Sequence, residues 1–213
     1  LQIIHFIGEF MIDLIKSGGP LMIAIFICGI TGTFIIVERF YYFISIKKRD
    51  FELARLLEND FQKKDFQAAE TDCISAGTPA AQVIKKAVEC RNWQENDIKE
   101  AVYAEMDSVI PQLEHFLTPL GTIANISTLL GLLGTVTGNI KAFGVLSSGA
   151  SMGDPAALAG AIAEALLTTA AGLCVSIPAF IFHNYFVSRV NRRIAEMESM
   201  VTSALLRLSG RIF

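Results

Sequence analysis

Glu164 is the one charged residue between Pro155 and Ser188, in a stretch otherwise dominated by Ala, Leu, Ile, Val and Phe. A bilayer hydrocarbon core about 30 Å thick is crossed by about 20 apolar helical residues. Glu164 stands nine residues into such a run, roughly 14 Å from its outer end at 1.5 Å per residue. A charged carboxylate at that depth costs at least a few kcal/mol, so acids inside membrane segments are rare and mostly functional. Burial penalises the charged form, and a carboxylate poised in a hydrated path can load a proton from one side and release it to the other. The alternative is a structural Glu, hydrogen-bonded between helices without transport. Proton handling is the expectation.

Around Glu164 on an ideal helix lie Ala157, Gly160, Ala161, Thr168, Ala171 and Val175, nearly all small. A second stripe runs through Gly121, Ala124, Thr128, Gly131, Thr135, Gly138 and Ala142, and Thr135 is expected at about the depth of Glu164. Small stripes let helices pack closely in lipid, and they can equally line a pore that encloses another helix. Both readings stand for Gly131, Gly138 and Gly160. Other chemistries fail. There is no HExxH, CxxC, Walker-type phosphate loop or G-x-S-x-G elbow. Glu114 beside His115 is not a metal-ligand set, and Cys28, Cys73, Cys90 and Cys174 lack metal-type spacing. No enzyme activity, metal or cofactor is expected, only protons as a coupling ion.

Composition sets the frame for these side chains. Of 213 residues 52% are hydrophobic and 18% charged, with a mean hydropathy of +0.47. That excludes disorder and fits a membrane protein with a polar insert. A net charge of -3 offers no basic footprint for nucleic acid. Three runs qualify as transmembrane helices, over 20–46, 116–146 and 156–187. Lys47, Lys48 and Arg49 follow the first, and Arg189, Arg192 and Arg193 follow the third. The short loop 147–155 has neither Lys nor Arg. Positive charge favours the cytoplasmic side, so that loop and the N-terminus are expected outside and the C-terminus inside. Lys141 is an exception near the outer end of the second span, tolerable if its ammonium snorkels to the headgroups.

In residues 1–19, Gln2, His5, Glu9, Asp13 and Lys16 share one helical face, which predicts an interfacial amphipathic helix on the outer surface or a helix packed on a partner. No basic region precedes it, so a cleavable signal is not expected, and the opening Leu1 leaves room for a native start upstream. Residues 47–115 carry ten Lys or Arg and fourteen Asp or Glu and read as a cytoplasmic helical domain. Helices are expected around Phe51–Phe61, Phe66–Ile74 and Ala80–Val88. A long one from about Glu95, with Ile98, Val102, Met106 and Val109 on one side, should run straight into the second span. In the tail 188–213, Val190, Ile194, Met197, Val201, Leu205, Leu208 and Ile212 form a coiled-coil-like stripe that predicts a partner and hence an oligomer. The fold class is an all-α membrane protein, with three transmembrane helices extended into a cytoplasmic bundle.

Gly131-Leu-Leu-Gly-Thr-Val-Thr-Gly138, then Ala161-Ile-Ala-Glu-Ala-Leu-Leu-Thr-Thr-Ala-Ala-Gly-Leu173 and Ile177-Pro178, closely resemble the MotA/TolQ/ExbB proton-channel family, as does Glu38-Arg39. With three spans the chain is most like the ExbB branch. The resemblance implies a homopentamer in a bacterial inner membrane enclosing an ExbD- or TolR-like single-span partner whose intramembrane Asp carries protons. It also implies energisation of a TonB-like protein, or of the Tol-Pal envelope system. Glu164 matches the family's essential Glu, and Thr135 and Thr169 its pore-lining threonines. Thr168, not Thr169, shares the ideal-helix face of Glu164, which leaves open which threonine lies beside it.

Overall fold

A computed structural model of the chain describes residues 18–147 and 155–208. The expected interfacial helix at its 1–17 portion, most of the 147–155 loop and the last five residues lie outside them. All regular structure among the described residues is helical: α1 (Gly19–Lys63), α2 (Phe66–Ala76), α3 (Pro79–Glu89), α4 (Glu95–Glu114), α5 (Leu117–Ser147) and α6 (Pro155–Leu208). Three stretches are long and apolar enough to cross a membrane, within α1, across α4 and α5, and within α6. The chain divides into two units. One comprises Leu1–Val37 and Thr118–Asn184, here the apolar unit; the other comprises Glu38–Leu117 and Tyr185–Phe213, the polar unit.

In the apolar unit α5 and α6 pack antiparallel through small residues. A Cβ added at Gly131 would meet the backbone of Thr169 and Gly172 at 3.3–3.5 Å. One added at Gly134 would strike the Thr168 side chain, and one at Gly138 would strike Ala165. Farther along the seam the Thr128 hydroxyl lies 2.6 Å from that of Ser176, which donates to the Ala124 carbonyl at 2.7 Å. Helices in lipid gain little from hydrophobic segregation, so close backbone approach and interhelical hydrogen bonds hold this seam. A cleft of about 680 Å³ remains between α1 and α6, lined by residues such as Ile25, Gly29, Ile36, Ala171, Cys174 and Pro178.

The polar unit is built as a water-soluble helical domain is built. The Asp65 carboxylate caps α2 by accepting from the Ala68 N–H, and Thr78 caps α3 the same way at Ala81, with Pro79 in the first turn. Gly77, at φ 56°, ends α2 in the left-handed region. Leu53, Leu57, Ala69, Cys73, Ala81, Ile84 and Val88 form a core, joined by Phe61, Phe66 and Met200. Burial pushes the Cys73 thiol up to about 12. Asp50 is raised above the ordinary carboxylate range by burial, with Thr78 and Arg193 pulling the other way; the Arg193 guanidinium is 3.7 Å from it.

Two expectations change here. The long helix from Glu95 does not run straight into the second span. It ends at Glu114; His115 takes an extended ψ of 136° and Phe116 a φ of 65°, before α5 begins at Leu117. A non-glycine residue in that region is uncommon and strained. The tail stripe, in turn, needs no second subunit over its described part. Val190, Met197 and Val201 are buried, and Met200 beside them packs on the polar unit's own core.

Candidate functional site

Ala161 and Ala165 are buried on the α6 face that meets α5, which leaves Glu164 at the edge of the seam. There the Lys141 ammonium of α5 donates to Glu164 Oε1 at 2.6 Å. The side chains are 53% and 25% exposed, respectively. The start of α1 covers the same carboxylate: a Cβ on Gly19 would stand 2.5 Å from Oε1, and Gly19 also has φ +67°. Steric room and backbone conformation therefore both ask for glycine at this point. Buried Thr168 can donate to the Glu164 carbonyl at 2.8 Å or to the Gly18 carbonyl at 3.3 Å. The carboxylate is thus held by a charge-assisted hydrogen bond beside a helix N-terminus, where negative charge is favoured.

The remaining residues singled out by sequence fall into three environments. Thr169 lies in the seam and donates to the Gly131 carbonyl at 2.8 Å, so Gly131, Gly138, Thr168 and Thr169 all serve α5–α6 contacts. Thr135 is half-buried and its hydroxyl turns to the Leu132 carbonyl of its own helix at 2.6 Å. It does not meet Glu164: the seam register sets Gly138 against Ala161 and Ala165, and Gly134 against Thr168. The level of Glu164 therefore falls one turn nearer the Ser147 end of α5 than Thr135. Gly160 faces open space, with nothing within 4 Å of an added Cβ. Among the described residues no three His, Cys, Asp or Glu gather as a metal site would require.

Sequence reasoning passed over Lys141 as a snorkelling side chain and did not single out Gly19, Gly134, Gly172 or Ser176. Lys141 was findable, since it is six residues from the end of α5 and Glu164 nine from the start of α6, comparable depths on two helices joined by a short loop. In the polar unit, Glu38 and Arg39 form a charged pair through two bonds, at 2.6 and 2.9 Å. Arg39 is 3% exposed and its guanidinium lies 4.3 Å from the Tyr42 ring centroid and 5.6 Å from that of Phe116, an arrangement suited to cation–π attraction.

Comparison with known proteins follows the same lines. The model of the MotA/TolQ/ExbB proton channel family matches residues 75–199. An ExbB-like protein of Synechocystis sp. is 28% identical over 84% of this chain and 86% of its own length. The biopolymer transport protein ExbB of Salmonella typhimurium is 30% identical over 80% of this chain and 71% of its own. The Tol-Pal system protein TolQ of Haemophilus influenzae is 42% identical over 43% of this chain and 40% of its own.

Proposed function

The chain belongs to the MotA/TolQ/ExbB proton channel family, and from that premise we propose that it is the ring subunit of a motor driven by the proton-motive force across a bacterial inner membrane. In this reading five copies, with the N-terminus periplasmic and the C-terminus cytoplasmic, enclose an ExbD-like single-span partner. The assembly energises a TonB-like protein for transport across the outer membrane, with protons as the coupling ion and no enzymatic step. The polar unit supplies a cytoplasmic helical bundle. The observation that carries the reading is Glu164, an acid held at the edge of a helix seam in an otherwise apolar unit. Each charge that crosses supplies about 2.3 kcal/mol per 100 mV, so a few protons per step match the work of breaking several protein contacts. Thr135, Thr168 and Thr169 would contribute hydroxyls to the proton path in the assembled ring, and the open face at Gly160 would meet a neighbouring helix.

A TolQ-like role in the Tol-Pal system is the second reading, favoured by the 42% identity to a TolQ over 91 residues. Both readings require Glu164. Reconstituted with its partner in proteoliposomes, the Glu164→Gln complex should assemble normally and lose proton flux to background. Full flux in that variant would refute ion conduction through this residue, and loss of assembly would point to a scaffold in which Glu164 only specifies association.

A further inference from the structure

Lys141 and Glu164 are the only Lys, Arg, Asp or Glu among the described residues of the apolar unit, and they meet at 2.6 Å. We infer that Lys141 is the counter-ion of Glu164, engaging the carboxylate across the α5–α6 seam and releasing it when it takes up a proton. This rests on the ion-pathway reading of Glu164 above.

Three features of the geometry carry it. The turn that bears Lys141 is fixed, because Gly138 seats against Ala161 and Ala165 and Ala142 is buried. A lysine at this end of α5 has the reach to extend toward the helix terminus, six residues away, yet its ammonium sits on Glu164. Among the described residues, the start of α1 brings Gly19 against the carboxylate, Thr168 of α6 bonds the backbone carbonyls of Glu164 and Gly18, and α5 contributes the cation. The other basic side chain among the described residues of the unit, His183, lies against Gly121 at the opposite end of the seam, about 30 Å along α5 from Lys141 at 1.5 Å per residue.

The pair is built to open. A fully buried ion pair must overcome the desolvation of both partners and locks in place, whereas Lys141 is about half exposed on a flexible four-carbon stem. When Glu164 accepts a proton its charge disappears and with it the attraction, and the ammonium is free to swing away. The residue acts through Glu164 and is a positioning residue.

Carbodiimide labelling tests this independently of flux, because dicyclohexylcarbodiimide adds to the protonated carboxyl. The complete complex with its partner is treated at neutral pH and modification of Glu164 is followed by peptide mass spectrometry. The Lys141 ammonium is bonded to the carboxylate oxygen that the reagent must reach, so Lys141→Met and Lys141→Gln should label about tenfold faster than the parent. Lys141→Arg, which keeps the charge, should stay at the parent rate. Equal rates in the parent and in whichever charge-free variant assembles would overturn the inference. Retained flux in Glu164→Gln would instead overturn the ion-pathway reading and leave the labelling comparison intact.

Discussion

In the apolar unit the closest approaches are of backbone to backbone, Gly131 to Gly172 above all, and Ile, Leu and Phe side chains point outward from α1, α5 and α6. In the polar unit the arrangement is reversed: Leu53, Ile84 and Val88 point inward and the helix ends are capped by Asp65 and Thr78. The open space differs as well, about 680 Å³ between α1 and α6 against a groove of about 200 Å³ beside Leu57 and Ile84. The polar unit gains its stability by removing apolar surface from water. That force is absent between helices surrounded by lipid, so the apolar unit depends on fit. Charge follows the same division. Among the described residues the apolar unit has one acid and one base reaches it, whereas the polar unit, beside pairs such as Asp50 with Arg193, gathers Asp60, Asp65 and Asp72 close together.

This contrast can be broken most severely at Gly172. An added Cβ there would stand 2.6 Å from the Ser127 carbonyl and 3.0 Å from the Gly131 Cα, and backbone cannot move aside as a side chain can. Overpacking typically costs about 1–3 kcal/mol; Gly172→Leu should exceed that range and separate α5 from α6. Gly160→Leu, on the open face of the same helix, should leave the melting temperature of the isolated chain in detergent unchanged. A folded, equally stable Gly172→Leu would show that the seam is not close-packed. In the polar unit the corresponding lesion is a cavity. Ile84→Ala, at a core position 2% exposed, should cost about 2–4 kcal/mol by chemical denaturation. A loss below about 1 kcal/mol would mean that the core collapses around the missing atoms.

The spans were legible because their apolar runs exceed what a soluble core needs, and α2 and α3 because Asp65, Gly77, Thr78 and Pro79 punctuate them. The helical break was not, since nothing in the types of His115 and Phe116 announces a left-handed backbone. At the candidate site Glu164 and both small-residue stripes were legible as chemistry. That the stripes interlock within one chain was not, because Gly131, Gly134 and Gly138 would present the same spacing to a pore, a partner or α6. The inward burial of Val190 and Met197 was hidden for a similar reason: a heptad-like stripe fits its own domain as well as another subunit.

The smallest effect, and the most discriminating for the charge contrast, is at Asp60. Its Oδ2 is buried without a hydrogen-bond partner. Burial first, then the carboxylates of Asp72 and Asp65, raise its pKa above the ordinary 3.8, and Lys63 offsets only part of this. The folded chain therefore binds this proton more tightly than the unfolded chain. Stability falls as pH rises from the ordinary carboxylate range through the folded-state value, and at neutral pH the ionised Asp60 is a liability. Asp60→Asn should make the chain more stable at pH 7 by about 0.5 kcal/mol, read from its denaturation midpoint. The gain should shrink toward pH 4, where the parent carboxyl becomes neutral too. A variant less stable than its parent at pH 7 would show that Asp60 is a net attractive charge, paired with Lys63 as Asp50 is with Arg193.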